Sequence, residues 1–435
     1  MLNSLKAILT ALLVLLSPSA FGQTSSSQWT LERVIQHGIQ SSPRLRASSE
    51  RLRAASLRAE RSDLNYLPSL DLTANHGVGY YLPEPVPEQN PYRSQFGLSL
   101  SQNIYDNGKT GIAAELSRLN REIAVLASQQ IKEQFILDVT NAYFELSIAH
   151  LNLNIGVAKL KIVEKQHRLL KNQVEQGFRS PRDLMRLDAQ AQRTRGSIIE
   201  SEAQVTNLIN QLAVLSGIER GLKIADFEMI KPSSKIPELP EAADIGKSFE
   251  SKMQKIQQDI GRTEVDLLKR QYGPQFFVTA AADYGASNYI GSGVPAYERD
   301  RVELSAMLEF KYNLWDAGRE KKDLGAALAD QAAAAATRDE SLANLSIKID
   351  ALSVDKAKRL AGFSTAKRLL ELEENSYQYL EKAYREGKAS YLDLATGLEN
   401  LTQAQLGYAR AYFQILELSA QYRYYEGASN EVLAK

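Results

Sequence analysis

Residues 67–80 read LPSLDLTANHGVGY and residues 95–105 read QFGLSLSQNIY. In the first stretch Leu70, Leu72, Ala74, Val78 and Tyr80 alternate with Ser69, Asp71, Thr73, Asn75, Gly77 and Gly79, and His76 interrupts the apolar row. In the second, Phe96, Leu98, Leu100 and Ile104 alternate with Gln95, Gly97, Ser99, Ser101 and Asn103. A period of two sends successive side chains to opposite faces, so each stretch predicts a strand with one apolar and one polar face. Pro83, Pro85, Pro87 and Pro91 lie between them and predict a hairpin with a stiff loop.

The same text returns in the second half of the chain. Phe276, Val278, Ala280, Ala282 and Tyr284 form one apolar row, and Val302, Leu304, Ala306, Leu308, Phe310, Tyr312 and Leu314 form another. Arg301, Glu303, Glu309 and Lys311 stand opposite the last row. The run SQNIYDNGK (101–109) recurs as KYNLWDAGR (311–319), carrying Asn103, Asp106 and Gly108 onto Asn313, Asp316 and Gly318 at an offset of 210. That offset also carries Gly177, Ser180, Asp183 and Leu184 onto Gly387, Ser390, Asp393 and Leu394, whereas Tyr66 and Pro68 reach Tyr272 and Pro274 at 206. One unit has been duplicated in tandem. The expected organisation is a first repeat over 23–230, a proline-rich linker over 231–240 and a second repeat over 241–427, followed by a tail over 428–435. Barrel-type strands are expected at about 66–82, 93–105, 274–287 and 301–315, and long helical hairpins at about 106–217 and 316–426.

The helical expectation rests on spacing. A first helical stretch is expected from about Leu31 to Asn65. After each strand pair, Ile112, Leu116, Leu119, Ile123 and Leu126, and later Leu342, Leu345, Ile349 and Leu352, step by threes and fours like a coiled-coil seam. No proline occurs between Gly108 and Gln173, so an unbroken helix there would run on the order of 100 Å. Asp106 and Asp316 suit helix N-caps where strand gives way to helix, with Gly108 and Gly318 shaping the same junctions. Gly177 and Gly387 suit tight turns that need positive backbone angles, and Ser180 and Ser390 restart the helices. The alanine run 332–336 fits close helix packing or plain helix propensity equally.

Composition removes several classes of function. With 52 basic and 52 acidic residues there is no positive excess for a nucleic-acid backbone, and with no cysteine there is no disulfide, thiolate metal site or thiol nucleophile. His37, His76, His150 and His167 fall into no metal-ligand spacing, and neither a G-x-S-x-G elbow nor a phosphate loop occurs, so no enzyme, metal or cofactor is expected. Lys6, the apolar run 7–16 and the small residues Ala20 and Gly22 match a cleaved signal peptide over 1–22, with the mature chain starting at Gln23. No later stretch is apolar for long enough to form a membrane helix.

Two-faced strands in a secreted chain fit either a soluble sandwich or a membrane barrel. Four strands cannot close a spacious barrel, because about eight are needed merely to enclose side chains. Several copies must therefore share one cylinder, with apolar rows toward lipid and Asp71, Asp283, Glu303, Glu309 and Lys311 toward a wet lumen. A solvated strand face would carry the same charges.

On these features, namely the leader, the duplicated helix, strand, strand, helix, helix unit and the D-x-G-[KR] junctions, the chain resembles the outer-membrane efflux (TolC-like) channel family over essentially its mature length. The resemblance implies a homotrimer with a 12-stranded barrel in the outer membrane and a long α-helical coiled-coil tunnel in the periplasm. It implies an exit duct of a tripartite efflux or type I secretion system, docking by its helical tips to a periplasmic adaptor and an inner-membrane pump. Asp393 then stands at the first acidic ring of the periplasmic entrance and Thr396 at the place of a second. Asp183 and Tyr384 match two members of a closing link, with Ala389 where its arginine would stand. The turns at Gly177, Ser180, Gly387 and Ser390 would contact the adaptor. Helix capping accounts for Asp183 and Asp393 as readily as gating does. The rival class is a periplasmic structural or adaptor coiled coil without a pore.

Overall fold

A computed structural model of the chain describes residues 28–78, 92–241, 244–288 and 301–428. The expected signal peptide, Tyr80, the loop prolines 83–91 and the tail beyond Ala428 lie outside the described residues.

The first repeat contains α1 (Leu31–Ser41), α2 (Pro43–Leu64), β1 (Ser69–Val78), β2 (Tyr92–Tyr105), α3 (Lys109–Glu175) and α4 (Pro181–Ser216). The second contains α5 (Phe249–Gln271), β3 (Gln275–Asn288), β4 (Arg301–Lys311), α6 (Arg319–Arg385) and α7 (Tyr391–Glu426). The hairpin helices match in length, 67 residues for α3 and α6 and 36 for α4 and α7.

The expected helix 31–65 is instead broken. Ser42 is extended, with φ −63° and ψ 124°, because Pro43 opens α2 and bars its predecessor from the helical region. The Ser41 hydroxyl absorbs the break by donating to His37 O at 2.7 Å and Ser216 O at 3.0 Å.

Two compact units cut across the repeats. One comprises Met1–Ser41, Asp138–Ile236 and Ala361–Glu417; the other comprises Ser42–Leu137, Pro237–Leu360 and Leu418–Lys435. The first unit is helical and buries Val139, Tyr143, Leu146, Leu212 and Phe413, with the Phe144 and Phe413 rings 5.8 Å apart. Within it the Tyr143 hydroxyl donates toward Trp29 O at 2.8 Å and also meets Glu228 O, joining the parallel bridge between Trp29 and Phe227.

The second unit holds the sheet, antiparallel throughout in the order β1-β2-β3-β4. Helical residues Phe135, Ile136, Leu345 and Tyr422 are buried in the same unit, and the Lys356 ammonium ties down the linker through Leu239 O (3.3 Å) and Pro240 O (2.7 Å).

Candidate functional site

The sheet separates its side chains as the alternation predicts. Leu72, Leu98, Ala282 and Leu304 form one cross-strand rung, and Leu70, Leu100, Ala280 and Ala306 form the next rung on the same face. This face is open: Leu72 is 76% exposed and Leu304 is 79% exposed. On the other face Thr73, Gly97, Asp283 and Glu303 make one rung, and Asp71, Ser99, Ala281 and Ser305 make another. Glu309 and Lys311 lie on the same side, opposite Phe277 and Gln275. All five charged residues singled out from the sequence therefore share one face, with Met307 and Phe277 as apolar members of it. His76 sits in the apolar row, where its Nδ1 and Ser94 Oγ are hydrogen-bonded across the strands at 2.8 Å.

Two strand ends depart from expectation. The ladder between β2 and β3 bulges at Ile104, so that Tyr105 rather than Ile104 stands opposite Phe276, the two rings 6.1 Å apart and edge to face. β4 ends at Lys311 although the alternating text continues to Leu314, because among the described residues no strand lies beside 312–315 to complete a ladder.

The strand-to-helix junctions repeat one construction. Asn107 and Gly108 have φ of 60° and 78°, and Ala317 and Gly318 have 61° and 82°. Two successive left-handed residues turn the chain sharply into the helix. Asp106 Oδ2 accepts from Thr110 N at 2.8 Å, from the Thr110 hydroxyl at 2.5 Å and from Asn103 Nδ2 at 3.1 Å. Burial alone would raise the Asp106 carboxyl, but these hydrogen bonds together hold it below the usual carboxylate value. Asp316 Oδ2 accepts from Glu320 N at 2.6 Å and Oδ1 from Gly318 N at 2.8 Å, and these amides lower its carboxyl too.

The helical turns near residues 177 and 387 share a second construction. Gly177 has φ 77°, Gly177 N donates to Val174 O at 3.0 Å and Phe178 N to Gln173 O at 2.8 Å. Gly387 has φ 76°, Gly387 N donates to Tyr384 O at 3.1 Å and Lys388 N to Ala383 O at 2.8 Å. Both α3 and α6 therefore end in the left-handed double hydrogen bond that glycine permits. Ser180 Oγ then accepts from Arg182 N at 3.2 Å. At the second turn Ser390 Oγ accepts from Asp393 N at 3.2 Å while Asp393 Oδ2 accepts from Ser390 N at 2.9 Å, a reciprocal capping box. The Ser390 hydroxyl also donates to Asp393 Oδ2 at 2.6 Å, and its hydroxyl and amide together hold the Asp393 carboxyl below its ordinary value.

Behind these turns Val163, Leu170, Leu187, Ala191, Tyr391 and Leu398 form one buried cluster, against which Tyr384 and Leu184 pack. The Arg179 guanidinium carbon lies 5.5 Å from the Tyr384 ring centroid. Burial raises the Tyr384 hydroxyl, with Arg179 opposing and the Asp183 charge adding to it. Asp183, Tyr384 and a cation thus occur together, the cation coming from the first turn rather than from the position of Ala389. Arg179 was missed by sequence reasoning because its partner lies 205 positions away. The Tyr391 hydroxyl donates to Gln190 Oε1 at 2.5 Å, and burial raises it to about 12.

Thr396 opens on a polar cleft of about 590 Å³ lined by Asn152, Lys159, Arg193, Ser197 and Glu399. Lys159 Nζ and Glu399 Oε2 pair across it at 2.5 Å, 240 positions apart in sequence. No group of three metal-ligating side chains occurs among the described residues. No described helix is long and apolar enough to cross a membrane.

Residues 34–218 match the family described as outer membrane efflux protein. Among solved structures the chain is similar to the outer membrane protein VceC of Vibrio cholerae, at 19% identity over 93% of this chain and 95% of that one, with a TM-score of 0.72. It is similar to the CmeC outer membrane channel of Campylobacter jejuni, at 13% identity over 92% and 86% with a TM-score of 0.76. It is also similar to the open state of the MtrE outer membrane channel of Neisseria gonorrhoeae, at 14% identity over 92% and 89% with a TM-score of 0.71. At these identities the likeness establishes the fold, which is that of these channels. No curated protein sequence matches the chain.

Proposed function

Residues 34–218 match the outer membrane efflux protein family, and on that premise we propose that the chain belongs to it and is the outer-membrane exit duct of a tripartite efflux or type I secretion system. In this reading it conducts substrate passively from an inner-membrane pump across periplasm and outer membrane. The sheet carries the argument. Its rungs put Leu70, Leu72, Leu98, Leu100 and Leu304 on one exposed face and Asp71, Asp283, Glu303, Glu309 and Lys311 on the other. Lipid would cover the first face and water would fill the space behind the second. Because four strands leave two open edges, the barrel requires several copies, and the family fold points to three. The leader expected over residues 1–22 would deliver the chain to that compartment.

The entrance is assigned to the turns. Asp393, Thr396, Asp183 and Tyr384 form the closing region, with Arg179 supplying its cation. Gly177, Ser180, Gly387 and Ser390 shape the surface offered to a periplasmic adaptor, and Phe178 stands 75% exposed beside them. The Lys159 and Glu399 pair is a further lock between α3 and α7 behind that entrance. Opening would separate these helices without disturbing the backbone bonds that hold each turn.

Reconstitution tests the class. Protein purified in detergent should run as a trimer and give stable ion steps in planar bilayers, whereas monomers without conductance would sink the channel reading and favour a poreless periplasmic coiled coil. Photo-crosslinking from position 178 or 388 should then capture the adaptor.

A further inference from the structure

The helices of the first unit pack through two apolar seams with a polar interval between them. Toward the turns, Val163 and Leu170 of α3, Leu187 and Ala191 of α4, and Tyr391 and Leu398 of α7 are buried in one cluster. Toward the other end Leu146 of α3, Val205, Ile209 and Leu212 of α4, and Phe413 of α7 are buried. In the interval the same three helices line the polar cleft of about 590 Å³, whose walls are mainly hydroxyls, amides and charges, with no aromatic ring in the lining. A helical seam is ordinarily apolar, and polar groups placed in one weaken it unless they find partners. A stretch that breaks the packing rule kept on both sides of it is where a functional role is expected.

The hydrogen bonds already made define what the cleft can still accept. The Thr194, Ser197 and Thr402 hydroxyls donate to Gln190 O (2.9 Å), Thr194 O (2.9 Å) and Leu398 O (2.8 Å) of their own helices. Their hydrogens are spent and their oxygen lone pairs remain, so these groups suit a ligand that brings O–H donors. Gln190 Oε1 is taken by the Tyr391 hydroxyl, which leaves the amide nitrogen as a donor, and the Asn400 amide has no partner among the described residues. Lys159, with its side chain only 16% exposed, is neutralised by Glu399, whose Oε1 also accepts from Gln403 Nε2 at 3.1 Å. Arg193 has no such partner among the described residues, so the lining keeps a net positive charge.

We propose that this cleft binds a small polyhydroxylated carboxylate of the sugar-acid class. One guanidinium matches one carboxylate both in charge and in its two parallel N–H donors, so Arg193 holds the acid group at the rim. The ligand's hydroxyls donate to the side-chain oxygens of Thr194, Ser197 and Thr402 and accept from the amides of Gln190 and Asn400. Binding of this kind goes beyond the exit-duct reading and requires neither a barrel nor conduction. Within an exit duct, the bound anion would tie α4 to α7 behind the entrance and so favour the closed state.

Isothermal titration of the full chain in detergent tests the site, with gluconate as the probe, glucose as the same hydroxyls without the charge, and propionate as the charge without the hydroxyls. Gluconate should saturate with a dissociation constant on the order of 1 mM or below, and the other two should bind at least about tenfold more weakly. Arg193→Gln should weaken gluconate binding by at least about tenfold, and Ser197→Phe, which fills the cleft, should abolish it. Both residues are exposed, so each variant should keep the helical circular dichroism of the parent. Absence of saturation by gluconate in the unaltered chain overturns the site, equal binding of glucose or propionate overturns the ligand class, and undiminished gluconate binding in both folded variants overturns the location. Because the titration uses no bilayer, each of these failures leaves the exit-duct reading standing, and that reading falls only on the trimer and conductance measurements.

Discussion

The Arg179 guanidinium lies over the Tyr384 ring at 5.5 Å from its centroid, joining the turn after α3 to the last turn of α6. A cation over an aromatic face at an exposed position contributes about 0.5–1 kcal/mol. If this contact helps to hold the entrance shut, Arg179→Ala should raise the ratio of open to closed time in single-channel records by roughly two- to fivefold. Arg179→Lys should retain part of the effect, since an ammonium keeps the charge and loses the planar stacking. Unaltered gating in both variants would leave Arg179 a surface residue of the turn.

Leu304 and Ser305 are neighbours in β4 on opposite faces, in the rungs of Leu72 and Asp71 respectively. Leu304→Arg places a cation toward lipid and should cost about 2–4 kcal/mol if the position lies near mid-membrane. Ser305→Arg points the same charge into the lumen, so assembly should be normal while anion permeability rises. Trimer yield from the outer membrane and reversal potentials in a salt gradient measure the two outcomes. Equal tolerance at both positions would contradict the lipid-facing assignment.

Most of the fold was legible because period and duplication are local signals. Alternation in Leu70, Leu72 and Ala74 marks a strand whatever it pairs with, and the glycines at 177 and 387 mark turns that only a few residues can make. The missed features depend on neighbours through space. The bulge at Ile104 lies just before the junction of Asp106 to Gly108, and no hydrophobic pattern encodes it. The end of β4 depends on where a neighbouring strand supplies its ladder. Arg179 and Tyr384, like Lys159 and Glu399, meet only after two long helices have returned, and nothing about either residue type at its own position announces the other. Pro43 is a different case, since a break before a proline was readable and the helical spacing on both sides concealed it.

The Tyr143 hydroxyl is buried and spans Trp29 O and Glu228 O, so it fastens the segment before α1 to the segment after α4. Burial pushes this phenol well above its ordinary value, with the Glu228 and Glu32 charges adding to the effect, and it remains a neutral donor at every physiological pH. Tyr143→Phe keeps the ring and takes the hydroxyl from Glu228 O, while Trp29 O still accepts from Glu228 N at 3.1 Å, at a cost of about 1–3 kcal/mol. The loss should be local. Limited proteolysis near residues 28–30 should accelerate severalfold while the thermal midpoint shifts only modestly, and undiminished protection of that segment would show that the bridge between Trp29 and Phe227 suffices without the hydroxyl.

Ser390 and Asp393 cap each other at the start of α7, and this accounts for the depressed Asp393 carboxyl without any entrance function. A carboxyl whose value is lower in the folded state adds stability that is complete above the unfolded value and disappears as pH falls through the folded one. The cap should accordingly hold unchanged from neutrality down to about pH 4, then weaken below it. Amide exchange at Asp393 and Leu394, referred to intrinsic rates, should follow that course in the wild-type chain. Ser390→Ala should lower protection there at all pH values and bring the Asp393 carboxyl back toward its ordinary range. Asp393→Asn separates the two roles. It removes the charge and keeps an acceptor for Ser390 N, so a residue that only caps would show nearly wild-type exchange and conductance, whereas an entrance residue would show wild-type exchange with altered cation conductance and divalent block.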